Sequence, residues 1–150
     1  MKFDSVEKIL DYAIQKEQDA ADFYSDLAAN MEHENMKHVF LSFSAEEQGH
    51  KTKLLAVKEG KKMMPSAQKV QDLKIGDNLV DVALTPGLDY QDALIVAMKA
   101  EKAAFKLYND LAEATDDENL RSVFLSLAQE EAKHKLRFEI EYDDRVFQDN

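Results

Sequence analysis

Two stretches of this chain, EEQGHK at 46–51 and EEAKHK at 130–135, put a glutamate and a histidine three residues apart where a helical apolar stripe would carry leucine. They are parts of a longer repeat. Sliding the chain on itself by 84 residues aligns 13–51 with 97–135 without a gap and gives 17 identical pairs in 39, including Glu17 with Glu101, Tyr24 with Tyr108, Glu47 with Glu131 and His50 with His134. A duplication of this kind constrains the fold strongly, because whatever one copy folds into, the other must fold into as well.

Each copy reads as a helical hairpin. In the first, Val6, Leu10, Ala13, Tyr24 and Leu27 recur at helical spacing behind Asp4 and Glu7, a capping-box pattern, and predict a helix over about 5–29. The polar run from Asn30 to Asn35 breaks it, and Met36, Val39, Phe40, Phe43, Leu54 and Val57 continue a second stripe to Gly60. The second copy repeats this, from Asp89 through Leu94, Ala97, Tyr108 and Leu111, across Thr115-Asp116-Asp117, to Leu120, Val123, Phe124, Leu127 and Phe138. Hairpins over about 4–60 and 89–146 leave 61–88 as the one long connection, with Pro65 and Pro86-Gly87 near its ends. A helix of about 25 residues is roughly 38 Å long, and this segment, if extended, spans that distance about twice. The expected architecture is an all-α four-helix bundle in one domain, with a single crossover that makes the second and third helices parallel.

Composition supports this and removes whole classes of function. With only 4 Gly and 2 Pro in 150 residues, the chain lacks the turn punctuation of a strand-rich fold. A net charge of -11, from 19 Lys and Arg against 30 Asp and Glu, repels nucleic acid and anionic lipid. Cysteine is absent, which excludes disulfides, zinc ribbons and iron-sulfur clusters, so a metal must be held by oxygen and nitrogen. No apolar run has the length of a membrane span, and MKFDSVEKIL enters an amphipathic pattern at once, so a cytoplasmic protein is expected.

Glu17 lies seven residues after Leu10 and seven before Tyr24, so it faces the core, and Glu101 is placed alike. Glu47, His50, Glu131 and His134 continue the stripes of the other two helices. Glu17 and Glu47 stand 15 residues either side of position 32, and Glu101 and Glu131 flank position 116 in the same way, so all four carboxylates reach one level of the bundle. Four bare carboxylates there would each lose several kcal/mol to desolvation, in a domain stable by about 5–15 kcal/mol. Two divalent metals balance four carboxylates, and two neutral imidazoles add nitrogen ligands. Such a set suits iron or manganese better than zinc.

One Glu from each of two helices and Glu-x-x-His from each of the others is the ligand arrangement of ferritin-like di-iron proteins. The stretches EQDAADFY, AEEQGHK, AEKAAFKLY and QEEAKHK resemble the ferritin-like domain of the rubrerythrins over nearly the whole chain. The resemblance implies a di-iron oxidoreductase that reduces hydrogen peroxide or dioxygen, with Glu17, Glu47, His50, Glu101, Glu131 and His134 as metal ligands. Two departures stand out. Rubrerythrins carry a further glutamate one turn after the position of Glu101, where this chain has Ala104, and they usually carry a four-cysteine rubredoxin domain, so electrons must come from an external donor protein. Ferroxidase activity in iron handling, and a metal-binding or interaction bundle with little turnover, remain as alternatives, and manganese or zinc as alternative metals.

Around these residues, Tyr24 and Tyr108 lie on the ligand face and can hydrogen-bond carboxylates on neighbouring helices. Glu46 and Glu130, one position off the stripe, are expected on a solvated face, and His33 and His38 on the surface. Lys61 and Lys62 suit the end of the second helix, and Met63-Met64 should cover apolar surface at the bundle end. A homodimer is expected, and because each hairpin carries half the ligands, two chains exchanging hairpins would share each metal pair.

Overall fold

A computed structural model gives residues 5–60 and 88–147, with side chains described to 145. Four long helices make up the bundle: α1 (Val6–Ala29), α2 (Glu34–Lys58), α3 (Tyr90–Ala114) and α4 (Glu118–Tyr142), the last running into a π-helical turn at Asp143–Phe147. The helices start where short polar side chains can take up free backbone N–H groups. Asp89 accepts from the Asp92 amide at 2.8 Å, and Asp117 accepts from the Leu120 amide at 3.0 Å. The cap of α1 is Ser5, whose hydroxyl accepts from the Lys8 amide at 3.2 Å, where the sequence pattern had pointed to Asp4. Helix α2 stops because Gly60 takes a φ of +85°, a left-handed conformation that costs glycine little.

The contacts between hairpins fix the topology. Tyr24 of α1 meets Glu101 of α3, and Tyr108 meets Glu17, so α1 and α3 run antiparallel. Phe43 meets Phe138, and His50 meets Glu131, so α2 and α4 are antiparallel too. With α1 antiparallel to α2 inside the first hairpin, α2 and α3 must be parallel, the single-crossover layout expected from the sequence. The connection itself, with Lys61, Lys62, Met63 and Met64, lies outside the described residues.

The apolar core is divided by the ionisable layer. At the end nearer the α1–α2 turn, Tyr24, Leu27, Phe40, Phe43, Tyr90, Leu94, Met98 and Phe138 form one buried cluster, rich in rings. At the other end Leu10, Leu54, Tyr108, Leu111, Leu120, Phe124 and Leu127 form a second, mostly aliphatic one. Along every helix, Glu17, Glu47 with His50, Glu101, and Glu131 with His134 fall between the two. Burying a large apolar side chain contributes about 1.5–3 kcal/mol, so the two clusters supply the stability against which the polar layer is held. One stripe residue departs from the pattern: Val6, the first residue of α1, is 44% exposed.

Candidate metal centre

All six glutamates and histidines singled out from the sequence are buried, none more than 4% exposed. Their equal distance from the turns brings them to one level. His50 Nδ1 lies 2.8 Å from Glu131 Oε1, 3.5 Å from Glu17 Oε1 and 3.6 Å from Glu47 Oε1. His134 Nδ1 lies 3.0 Å from Glu47 Oε1, 3.4 Å from Glu101 Oε1 and 3.9 Å from Glu131 Oε2. The two imidazole planes are within 4° of parallel, with ring centres 5.5 Å apart, as the internal duplication requires.

Two overlapping donor groups result. One is Glu17, Glu47, His50 and Glu131, the other Glu47, Glu101, Glu131 and His134, and in each the donor atoms lie within 4.8 Å of one another. Glu47 and Glu131 belong to both. Seven buried donor atoms of these six residues have no hydrogen-bond partner: Glu17 Oε2, Glu47 Oε1, His50 Nδ1, Glu101 Oε2, both oxygens of Glu131, and His134 Nδ1. Native structures leave few buried polar atoms unmet, and these atoms converge on shared points without aligning for bonds to each other, which is the geometry cations would complete.

The electrostatics point the same way. Burial, with Glu101 and Glu17 nearby, pushes the Glu47 carboxyl up to about 9. Burial and the Glu101 charge also raise Glu131 well above the carboxylate range. His134, against the opposing effect of its burial, is pushed up to about 12 by Glu101, Glu46 and Glu47. In the metal-free chain, protons therefore hold charges that metal ions would otherwise balance.

The tyrosines complete the layer. Tyr24 donates its hydroxyl to Glu101 Oε1, and Tyr108 donates to Glu17 Oε1, each across the seam between hairpins. Both phenols are held well above their usual range by burial first, then by the facing carboxylates Glu101 and Glu17. Ala104 is partly buried three residues after Glu101, and Ala20 holds the same position after Glu17, so the donor set is alike in both halves.

Glu46 departs from the expectation of a merely solvated face. Although 43% of its side chain is exposed, it accepts from His134 Nε2 at 2.8 Å and from Arg137 Nη1 at 2.9 and 3.1 Å. The hydrogen bond from His134 brings its carboxyl down to about 2. Its place next to Glu47, one position off the stripe, was the signal available in the sequence. Glu130 is bound by Lys133 of its own helix at 3.1 Å, and His33 and His38 are exposed as expected.

A duplicated single-crossover bundle with Glu and Glu-x-x-His donors at its centre defines a ferritin-like protein of the di-iron carboxylate class. The family model described as Rubrerythrin matches residues 8–83 and 92–149, and the chain belongs to the rubrerythrin family. No curated protein matches it. Two solved structures share the fold. A hypothetical protein from Pyrococcus furiosus is 24% identical with a TM-score of 0.63, over 93% of this chain and 89% of that one. An uncharacterized conserved protein from Magnetospirillum magnetotacticum MS-1 is 20% identical with a TM-score of 0.70, over 93% and 95% of the two chains. The family and the buried Glu/His cluster together support a di-iron cofactor and an oxidoreductase of the peroxidase type. Among the described residues no helix is long and apolar enough to cross a membrane.

Proposed function

We propose that Glu17, Glu47, His50, Glu101, Glu131 and His134 hold two iron ions, and that the chain reduces hydrogen peroxide with electrons from a separate donor protein. The observation that carries this reading is the pair of donor groups sharing Glu47 and Glu131, whose buried atoms lack other partners. Glu17 and His50 serve one position alone, Glu101 and His134 the other, and Glu47 and Glu131 serve both. Four carboxylates against two divalent ions make the filled layer neutral, which removes the cost of burying it. When bound, a pair of iron(II) ions would supply the two electrons that, with two protons from solvent, convert one hydrogen peroxide to two waters.

The residues around the ions set the conditions for that chemistry. Tyr24 and Tyr108 hold Glu101 and Glu17 in fixed orientations, so each carboxylate keeps one oxygen turned inward. The aromatic cluster of Phe40, Phe43 and Phe138 keeps water from the layer on one side, and Leu54, Phe124 and Leu127 do so on the other. With no cysteine in the chain, the donor must bring its own redox centre. A homodimer, cytoplasmic in location, completes the proposal.

The test is metal content per chain on protein purified without added metal, then anaerobic Fe(II) loading and a stoichiometric peroxide challenge followed by absorption. Two irons per chain, oxidised by one equivalent of peroxide and reduced again by an external donor, is the expected result. One tightly held zinc, or a folded chain that takes up no metal, would overturn it. Release of oxidised iron after each turnover would instead favour ferroxidase activity.

A further inference from the structure

The internal duplication offers a control that few proteins carry. Since the halves share one frame, a difference in geometry at equivalent places must come from the positions where the copies have diverged. Glu46 and Glu130 are equivalent, as are His50 and His134, and all four side chains are the same in kind. Their bonding is not. Glu46 crosses from α2 to α4, accepts from His134 Nε2 at 2.8 Å and is clamped by Arg137. Glu130 turns along its own helix to Lys133 Nζ at 3.1 Å.

Two diverged positions account for this. Lys133 is replaced in the first copy by Gly49, so the place three residues after Glu46 offers no cation to draw the carboxylate along its own helix. Arg137 is replaced in the first copy by Lys53, whose compact ammonium cannot hold a carboxylate and lie flat on an aromatic ring as a planar guanidinium does. Arg137 does both: Nη1 is 3.1 and 2.9 Å from the Glu46 oxygens, and the guanidinium sits 4.3 Å from the centre of the Phe43 ring. Phe43 in turn meets the His134 ring edge to face at 5.0 Å. His134 is thus fixed by Glu46 at Nε2 and by the perpendicular Phe43 ring, while Nδ1 lies within the donor group. Once a metal ion has displaced the ring's second proton, a carboxylate on the outer N–H keeps that nitrogen protonated and the inner one turned to the ion.

We propose that the two metal positions are unequal, and that the one formed by Glu47, Glu101, Glu131 and His134 binds its ion more tightly than the one formed by Glu17, Glu47, His50 and Glu131. Glu46 is the positioning residue responsible, Arg137 holds it, and Gly49 against Lys133 decides that only one half has it. This rests on the reading of the six residues as ligands. Outer carboxylates of this type change metal affinity by about 10- to 100-fold, which sets the expected separation.

The experiment is an anaerobic titration of the metal-free full chain with Co(II), read by absorption and calorimetry, with a competing chelator to resolve the steps. Two steps separated by about 10- to 100-fold are expected. Glu101→Ala should remove the tighter step and Glu17→Ala the weaker. Glu46→Ala, its fold checked by helical circular dichroism, should bring the two steps together, while Glu130→Ala should leave them apart. Lys53→Arg with Lys133→Gly should build the missing arrangement and tighten the weaker step. Equal affinities in the unaltered chain, both ions entering in one step, or a separation untouched by Glu46→Ala would overturn the inequality. Failure of the chain to bind any Co(II) would count against the six-ligand reading itself.

Discussion

Replacing Tyr108 by phenylalanine removes one oxygen from the core and leaves Glu17 without its hydrogen-bond donor. The hydroxyl donates to Glu17 Oε1, and Oε2 has no hydrogen-bond partner, while His50 Nδ1 stands 3.5 Å from Oε1. A hydrogen bond to a charged group contributes about 1.5–3 kcal/mol, and with Glu17 only 2% exposed, water cannot replace it. The metal-free variant should therefore unfold about 1.5–3 kcal/mol more easily in urea, with the slope of the transition unchanged. Tyr24→Phe should behave alike through Glu101, and because both carboxylates belong to one cluster, the double variant should depart from additivity. With two metal ions bound, each carboxylate has a cation partner and the cost should drop to about 1 kcal/mol or less. A metal-free Tyr108→Phe chain within about 0.5 kcal/mol of the parent would refute the argument that this carboxylate depends on its phenol.

Stability of the metal-free chain should fall as pH rises from 6 to 9. Glu47 goes from 4.5 to about 9 on folding and His134 from 6.5 to about 12, so each keeps in the fold a proton the unfolded chain has released. Their contribution is complete below 4.5 and 6.5 and disappears toward the folded values, at about 1.4 kcal/mol per pH unit for each proton difference. Thermal melts across that range should show the decline, and loading with metal should reverse it, because ions displace the protons. Phe138→Ala empties a fully buried ring site against Tyr24, Phe40 and Phe43 and should cost about 3–5 kcal/mol by urea unfolding. Asp117→Ala removes the cap on the Leu120 amide and should cost about 1 kcal/mol, with hydrogen exchange rising first in the opening turn of α4.

Much of the site was legible because helical periodicity is a strong signal and the chain states it twice. Glu17 and Glu101 stand out as acids in apolar stripes, and their distance from each turn predicts the level at which they meet. The tyrosines were legible as neighbours on the same face, though their partners on other helices were not. Glu46 was misread for a physical reason. It is one position off the stripe and half in water, and what makes it matter is Arg137, a residue 91 positions away that reaches it only after the hairpins have paired. The pairing of Lys135 with Glu139, buried at 3.6 Å on α4, escaped in the same way, since a lysine and a glutamate four apart usually describe a wet helix face. Nothing in DDRVF marks the π-helical turn that ends α4.

The seam between the hairpins has a consequence for time as well as for stability. Each hairpin is built from contacts close in sequence, the kind that form early and fast, whereas the acidic layer is assembled only when the two come together. Interactions made after the rate-limiting step slow unfolding without speeding folding. Metal bound at the seam should therefore set how long a folded molecule survives, through the rate at which the halves part, and withdrawal of iron would shorten the lifetime of a chain whose helices are otherwise intact.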